Sequence, residues 1–135
     1  MPHYLADTSA WNRSAQVQDR WSELIEANDV ALCAPVRLEL LYSARGQADY
    51  AALEEGLDGF PHLTIDERVE TIAFRGQAAL AARGQHRGPA PTDLLIAALA
   101  QTHGITLLHY DRHFDAISRV IELKSEWVAP RGTLD

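Results

Sequence analysis

Cysteine and long apolar runs are both scarce in this sequence. Its single cysteine, Cys33, lies in the apolar run Val30–Ala34, so it forms no internal disulfide and is typical of a small core residue. The longest clear apolar run, Leu94–Ala100, is far shorter than the roughly 18 residues that a membrane-spanning helix needs. The first residues lack both the basic and the apolar stretch of a secretory signal. We therefore expect a cytoplasmic protein with no membrane partner.

Positive charge is also in the minority. Twelve Lys and Arg residues stand against 19 Asp and Glu residues, which gives a formal net charge of −7. A nonspecific nucleic-acid binder works by neutralising phosphates and is expected to be basic, so the acidity counts against that class. It leaves open an enzyme whose own site is a carboxylate cluster that holds metal cations. The grouped residues Arg75, Arg83, His86 and Arg87 fit either a solvated helix face or a phosphate-contacting edge.

Strand and helix patterns alternate along the chain. The 135 residues have the length of one ordinary domain, so we expect a single domain over residues 1–135. Strands are predicted at His3–Ala6, Val30–Ala34, Ile105–His109 and Val120–Leu123, with a short extended segment at Phe60–Ile65. Helices are predicted at Thr8–Arg13, Val17–Asn28, Pro35–Arg45, Asp49–Leu57, Glu67–Arg83, Pro91–His103 and Asp111–Ser118. This order predicts an α/β fold in which helices cover both faces of a mainly parallel sheet. We also expect Gly46 to end a helix as a left-handed cap, and the tail from Pro130 to be loose.

Two aspartates follow predicted strands directly. Asp7 ends the first strand and is followed by Thr8 and Ser9, and Asp111 follows the strand Ile105–His109 in the same way. In a parallel sheet both carboxylates would emerge at the carboxyl edge, where open α/β sheets place their ligand sites. Either aspartate could instead simply cap the helix that comes after it.

Two further acids occupy conspicuous places on helices. Asp93 lies in the first turn of the helix after a Pro-rich loop, where the helix dipole alone would favour it. Glu39 lies inside a helix with no basic residue three or four positions away. A partly buried carboxylate without a cation is costly, so Glu39 favours a site over a purely structural role.

Convergence of these four acids would require protonation or a cation. Two carboxylates about 5 Å apart repel by roughly 3 kcal/mol at an effective dielectric near 20, so several such pairs need protonation or a divalent ion. Oxygen ligands select hard ions, which predicts Mg²⁺ or Mn²⁺. Such a centre is suited to metal-assisted hydrolysis of phosphate esters without a covalent nucleophile.

Four ordered segments resemble the motifs of a known family. They are Leu5-Ala-Asp7-Thr-Ser9, Arg37-Leu-Glu39-Leu, Thr92-Asp93-Leu-Leu-Ile-Ala-Ala-Leu-Ala and Leu107-Leu-His-Tyr-Asp111-Arg-His-Phe114-Asp115. Together they are similar to the PIN-domain ribonucleases, and more closely to the VapC-type toxins of bacterial toxin–antitoxin pairs. The resemblance covers nearly the whole chain, in order and at the family's size.

The resemblance implies a fold, an activity and partners. The fold would be a Rossmann-like three-layer α/β/α PIN domain with a mainly parallel sheet. The activity would be that of an Mg²⁺- or Mn²⁺-dependent endoribonuclease that cuts single-stranded or looped RNA, often transfer or ribosomal RNA. The partners would be a small VapB-like antitoxin that inhibits the enzyme, a second copy in a homodimer, and larger toxin–antitoxin complexes.

The resemblance also assigns residues by motif position. Asp7, Glu39, Asp93 and Asp111 match the family's catalytic, metal-binding acids. Asp115 matches a frequent additional acid at the metal, and Ser9 matches the supporting hydroxyl residue near the site. His109 departs from the family, which often has Thr or Ser there. It fits either a contact with the rim of the site or a substrate phosphate, or a strand-end histidine with no role.

Other functions compete with the nuclease hypothesis. A catalytically inactive PIN-fold module that only binds a protein partner would have the same fold, although no acid position is substituted. A phosphatase or phospho-acceptor domain needs an Asp nucleophile with a second acid or a lysine. In this chain Thr8 and Ser9 follow Asp7, and the only lysine is Lys124, near the end of the chain. The sequence therefore favours this alternative less than the nuclease hypothesis.

Two smaller alternatives concern single clusters. His109, Asp111, His113 and Asp115 could in principle form a zinc site, but no cysteine or paired-histidine motif supports it. The tryptophans Trp11, Trp21 and Trp127 could stack RNA bases; their apolar surroundings in the sequence favour packing instead.

Overall fold

Five parallel strands form the centre of the protein. The computed structural model describes residues 1–135, and its strands are β1 Tyr4–Ala6, β2 Val30–Cys33, β3 His62–Leu63, β4 Thr106–His109 and β5 Ser125–Trp127. Their order in the sheet is β3-β2-β1-β4-β5, and every neighbouring pair is parallel. All five carboxyl ends therefore meet at one edge of the sheet. The predicted α/β class with a parallel sheet is confirmed.

Seven helices connect the strands. They are α1 Thr8–Trp11, α2 Gln18–Glu26, α3 Ala34–Tyr42, α4 Gln47–Leu57, α5 Glu67–Ala82, α6 Pro91–His103 and α7 His113–Ile117, with a short 3₁₀ turn at Ser14–Val17. Helix α6 begins at Pro91, whose fixed φ suits the first helical position. It ends at Gly104, which has the left-handed φ of 64° that a glycine adopts without strain. None of the helices combines the length and apolar character that crossing a membrane requires.

Alternate residues of the central strands pack on opposite faces of the sheet. Leu5 and Leu107 belong to a large buried cluster that includes Leu80 of α5. The next residues along each strand, Ala6 and Leu108, belong to a smaller cluster that includes Trp21 of α2. Helices therefore cover both faces, and the sheet lies in the middle of a three-layer α/β/α arrangement.

The last strand is not where the sequence predicts it. Val120–Leu123 is apolar enough for a strand, but the N–H groups of Val120 and Ile121 both donate to the carbonyl of Ile117, at 3.0 and 2.9 Å. These residues therefore complete the turn after α7. The strand that pairs with β4 on the side away from β1 is Ser125–Trp127, with Trp127 opposite His109.

Two smaller expectations are also wrong. Helix α3 ends at Tyr42, and Gly46 has an extended backbone just before α4 instead of a left-handed cap. The C-terminal tail is held to the domain, because the Leu134 N–H donates to Tyr110 Oη at 2.9 Å and the Leu134 carbonyl accepts from Gln16 Nε2 at 3.3 Å. The Leu134 side chain packs against the smaller apolar cluster.

Candidate metal centre

All four predicted acids line one pocket at the carboxyl edge of the sheet. Asp7 follows β1, Glu39 lies on α3, Asp93 begins α6 and Asp111 follows β4. Together they border a cavity of about 820 Å³. Residues up to 104 positions apart in the chain thus share one cleft, as the parallel topology predicts.

Asp7 both caps a helix and lines this pocket. Its Oδ2 accepts from the Ser9 N–H at 3.0 Å and from Ser9 Oγ at 2.6 Å. Ser9 Oγ in turn accepts from the Tyr110 N–H at 2.9 Å. Ser9 therefore ties the carboxylate after β1 to the end of β4, and it holds Asp7 in one orientation toward the pocket.

Asp93 is the most perturbed acid of the group. It is 9% exposed, and its Oδ2 accepts from the Ala90 N–H at 3.0 Å. Burial raises the pKa of Asp93 to about 7, and the negative charges of Asp7, Asp111 and Glu39 add to the rise. The other three carboxylates are thus close enough to oppose the ionisation of Asp93, which is the crowding that a cation would relieve.

Asp111 forms a tight pair with a residue that the motif assignment left out. Its Oδ1 accepts from the His113 N–H at 2.9 Å and lies 3.2 Å from His113 Nδ1. One ligand atom each from Asp93, Asp111 and His113 lies within 4.8 Å of the other two. From the sequence, His113 enters only the zinc alternative. The Asp-x-His spacing indicates that the side chains of Asp111 and His113 lie close together, but it does not indicate that Asp93 is near them.

Glu39 enters the pocket in a different way from the one expected. The sequence predicts a partly buried carboxylate, whereas Glu39 is exposed on the outer face of α3. Its lack of a basic partner therefore costs little, and that premise is wrong. Glu39 nevertheless lines the same pocket as Asp7, Asp93 and Asp111.

His109 contacts the rim of the site from inside the core. It is fully buried, its Nδ1 accepts from the Asp111 N–H at 3.1 Å, and its Nε2 is buried with no partner. Its ring centroid lies 5.0 Å from those of both Phe114 and Trp127. Burial lowers the pKa of His109, so the ring is neutral and serves as a hydrogen-bond acceptor.

Asp115 lies outside the pocket. It is absent from the pocket lining, and its Oδ2 lies 3.6 Å from Arg131 Nη1. The four residues of the zinc alternative are therefore not assembled, although two of them, Asp111 and His113, do meet.

Two arginines stand at the rim of the pocket, Arg13 and Arg87. The guanidinium of Arg13 lies 4.7 Å from the ring centroid of Tyr110, a cation–π contact that fixes its position. Of the basic group predicted from the sequence, Arg87 alone lines the pocket; Arg75, Arg83 and His86 are exposed elsewhere.

The tryptophans pack within the fold. Trp11 contacts the rings of Trp21 and Phe60 edge-on, at 4.9 and 5.0 Å between centroids. Trp127 packs against Tyr110 at 5.3 Å. These contacts agree with the packing interpretation.

The donor set fits a divalent cation. An octahedral ion with bonds of about 2.1 Å spaces its ligands roughly 3 to 4 Å apart. The ligand atoms of Asp93, Asp111 and His113 lie within 4.8 Å of one another, so a small movement of the side chains would let them share one ion. Asp7 and Glu39 add negative charge to the same pocket. A pocket of this kind at the carboxyl edge of a parallel sheet defines an α/β protein with an acidic, metal-compatible centre.

Comparison with known proteins gives the family. The family model of the PIN domain matches residues 4–120, so the chain belongs to the PIN-domain family. It is 38% identical over 135 residues to Ribonuclease VapC18 of Mycobacterium tuberculosis, covering 97% of this chain and 98% of that protein. It is 38% identical over 134 residues to Ribonuclease VapC51 of the same organism, covering 98% and 97%. Within the PIN-domain family it therefore belongs to the VapC group.

Solved structures share the fold. DNA-bound VapBC from Salmonella typhimurium aligns with a TM-score of 0.75 at 18% identity, over 96% of this chain and 100% of that one. VapBC-5 from Mycobacterium tuberculosis aligns with a TM-score of 0.67 at 24% identity, over 92% and 98%.

Proposed function

We propose that this protein is a metal-dependent endoribonuclease and the toxin of a toxin–antitoxin pair. Its substrate would be single-stranded or looped RNA, with transfer and ribosomal RNA as the candidates, and residues 1–135 would act in the cytoplasm as one domain. The observation that carries the proposal is the meeting of Asp7, Glu39, Asp93 and Asp111 in one pocket. The relatives named ribonucleases support it at 38% identity.

The acids would hold Mg²⁺ or Mn²⁺. Asp93 and Asp111 would be direct ligands, and Asp7 and Glu39 would complete the negative pocket. Asp115, which motif position also assigns to the metal, would add its negative charge from outside the pocket. When bound, such an ion lowers the pKa of an attacking water and offsets charge on the phosphate. The raised pKa of Asp93 supports this assignment, because the four carboxylates are compatible only when a proton or a cation shares their site.

The rest of the pocket would orient the substrate. Ser9 fixes Asp7 through two hydrogen bonds, and His109 fixes the backbone of Asp111. Arg13 and Arg87 stand at the rim of a protein that is otherwise acidic. They would bind the phosphates that flank the scissile bond, since phosphate contacts set the register of a nucleic acid without reading its sequence.

A surface beside the pocket is suited to a protein partner. Leu38 and Tyr42, one helical turn apart on α3, are 66% and 92% exposed and border a groove that also includes Glu39. Exposed apolar side chains grouped in this way are typical of interaction sites. We propose that a small VapB-like antitoxin covers them and the acidic pocket together, with homodimers and toxin–antitoxin hetero-oligomers as the assembled forms. The VapBC-5 neighbour is described as a member of the VapBC family of toxin–antitoxin systems.

A phospho-acceptor mechanism that uses a lysine has less support. Lys124 lines a separate pocket beside His3 and Ile105, at the amino ends of the strands. It is therefore on the opposite edge of the sheet from Asp7, and the lysine that phospho-acceptor chemistry uses is missing from the acidic pocket.

RNA cleavage tests the proposal. Purified protein freed of any partner is incubated with end-labelled RNA and Mg²⁺ or Mn²⁺, alongside Asp7→Asn and a control, Glu23→Gln, which changes an exposed acid on α2. Loss of a group that supports a metal ligand costs roughly 10–100-fold, so Asp7→Asn should lower the cleavage rate by about 10–100-fold. The control should cleave like the parent.

The outcomes separate the candidate functions. Equal cleavage by Asp7→Asn would assign the activity to a contaminant or another site. No cleavage by the parent with either ion, and no stabilisation by Mn²⁺, would favour the inactive binding module instead.

A further inference from the structure

We propose that the imidazole of His113 is a nitrogen ligand of the metal centre and makes it prefer Mn²⁺ to Mg²⁺. This inference rests on the proposed metal dependence and deepens it, because it concerns which ion the site selects. The four acids alone describe an all-oxygen site. His113 changes the chemistry of that site.

The position of His113 suits a shared ligand. Its Nδ1 lies 3.2 Å from Asp111 Oδ1, close to the roughly 3 Å between neighbouring ligands of an octahedral ion. The nearest ligand atoms of Asp93 and His113 are within 4.8 Å. A small adjustment on binding would therefore bring one ion within bonding distance of all three side chains.

The ring is also restrained in place. The backbone N–H of His113 donates to Asp111 Oδ1 at 2.9 Å, which fixes the backbone from which the ring projects. On the other side, a Cβ built on Gly88 in the Pro-rich loop would lie 3.9 Å from His113 Cδ2, so the loop borders the ring. The side chain is 38% exposed, so it can exchange a water or an ion without disturbing the core.

Ligand chemistry then gives the direction of the preference. Mg²⁺ takes oxygen ligands almost exclusively and gives up its waters reluctantly. First-row transition ions accept imidazole readily, and their affinity for sites with nitrogen ligands rises from Mn²⁺ toward Co²⁺ and Ni²⁺. One nitrogen donor beside Asp93 and Asp111 should therefore raise the affinity for Mn²⁺ more than that for Mg²⁺.

Ion competition on the full chain tests this inference. Mn²⁺ binding to metal-free protein is followed by the electron paramagnetic resonance signal of free Mn²⁺, and Mg²⁺ is then added as competitor. The variants are His113→Asp, which makes the site all-oxygen, and His113→Ala. The control is His86→Asp, which makes the same charge change at an exposed residue outside the pocket lining. Urea unfolding of each metal-free variant confirms that it is folded.

The expected results distinguish this inference from the proposed function. The ratio of Mn²⁺ to Mg²⁺ affinity should fall by about tenfold in His113→Asp and stay unchanged in His86→Asp. In His113→Ala, Mn²⁺ affinity should fall more than Mg²⁺ affinity. An unchanged ratio in His113→Asp would overturn the nitrogen ligand while leaving the metal centre intact. Tighter Mn²⁺ binding by His113→Ala would show that the ring only competes with the ion for Asp111. Failure of the parent to bind either ion would overturn the metal dependence itself.

Discussion

The raised pKa of Asp93 makes this acid a source of instability in the metal-free protein. Its pKa is about 7 in the folded chain against 3.8 for an ordinary Asp, a difference of about 3 units. At 1.36 kcal/mol per unit, ionising Asp93 costs the folded state up to about 4 kcal/mol. That is a large part of the 5–15 kcal/mol that stabilises a typical domain.

The sign of the pH dependence follows from this difference. The folded state holds the Asp93 proton more tightly than the unfolded state does, so this contribution to stability is complete below about pH 3.8. It is lost as the pH rises from there to about 7. Asp93→Asn removes the ionisation, while its amide oxygen can still accept from the Ala90 N–H that Asp93 Oδ2 now bonds.

Urea unfolding without metal, between pH 5 and pH 8, measures the effect. Asp93→Asn should be more stable than the parent at pH 8 by a few kcal/mol, and the advantage should shrink toward pH 5. The matched control is Asp66→Asn, since Asp66 caps α5 by accepting from the Val69 N–H at 3.0 Å but lies outside the pocket. Asn and Asp are nearly equal as caps, so the control should change little. If Asp93→Asn is instead destabilised at pH 8 and keeps the parent's pH slope, the buried charge of Asp93 is not the source of the instability.

Three further predictions concern other parts of the chain. A Cβ on Gly76 would lie 2.7 Å from the Cδ1 atom of the buried Ile121, so Gly76→Ala should destabilise the protein by about 1–3 kcal/mol. Gly56→Ala, on α4 with open space around it, should stabilise the protein by up to about 1 kcal/mol. Thermal unfolding compares the two variants, and equal effects would contradict the close contact between Gly76 and Ile121. His109→Leu removes the buried acceptor of a backbone N–H and should cost about 1–3 kcal/mol and weaken Mn²⁺ binding. His109→Asn should restore the binding, and failure to do so would show that the ring only fills space. Arg13→Met keeps the packing of a long side chain on Tyr110 but loses the charge, so it should lower the salt dependence of single-stranded RNA binding by about 0.7 in the log–log slope. An unchanged slope would place the phosphates elsewhere.

Local sequence patterns were sufficient to predict residue positions that follow directly from the parallel topology of the sheet. Asp7 and Asp111 were placed by the strands that precede them, and neighbouring parallel strands necessarily end at the same edge. The buried Cys33 likewise follows from its apolar run. The strand β5 could not be placed in the same way, because Val120 and Ile121 are as apolar as a strand requires. Their N–H groups donate to the carbonyl of Ile117, and this makes them part of a turn instead of a strand.

The site residues show the same limit. The spacing around Glu39 reveals that it has no basic partner, but whether α3 turns that face to solvent depends on packing across the fold. The Asp111–His113 pair is local and could be read from its spacing. Its approach to Asp93 joins α6 to the end of β4 and appears only in three dimensions. The roles of the acids at a metal remain predictions.

A crystal structure of the protein grown with Mn²⁺ would show whether the acidic pocket binds a divalent cation, because anomalous scattering locates the ion without reference to activity. We expect a peak in this pocket within about 2.5 Å of carboxylate oxygens of Asp93 and Asp111, and its loss in Asp111→Asn crystals. A peak elsewhere, or an ion that remains in place in the variant, would show that these two aspartates do not form the metal centre.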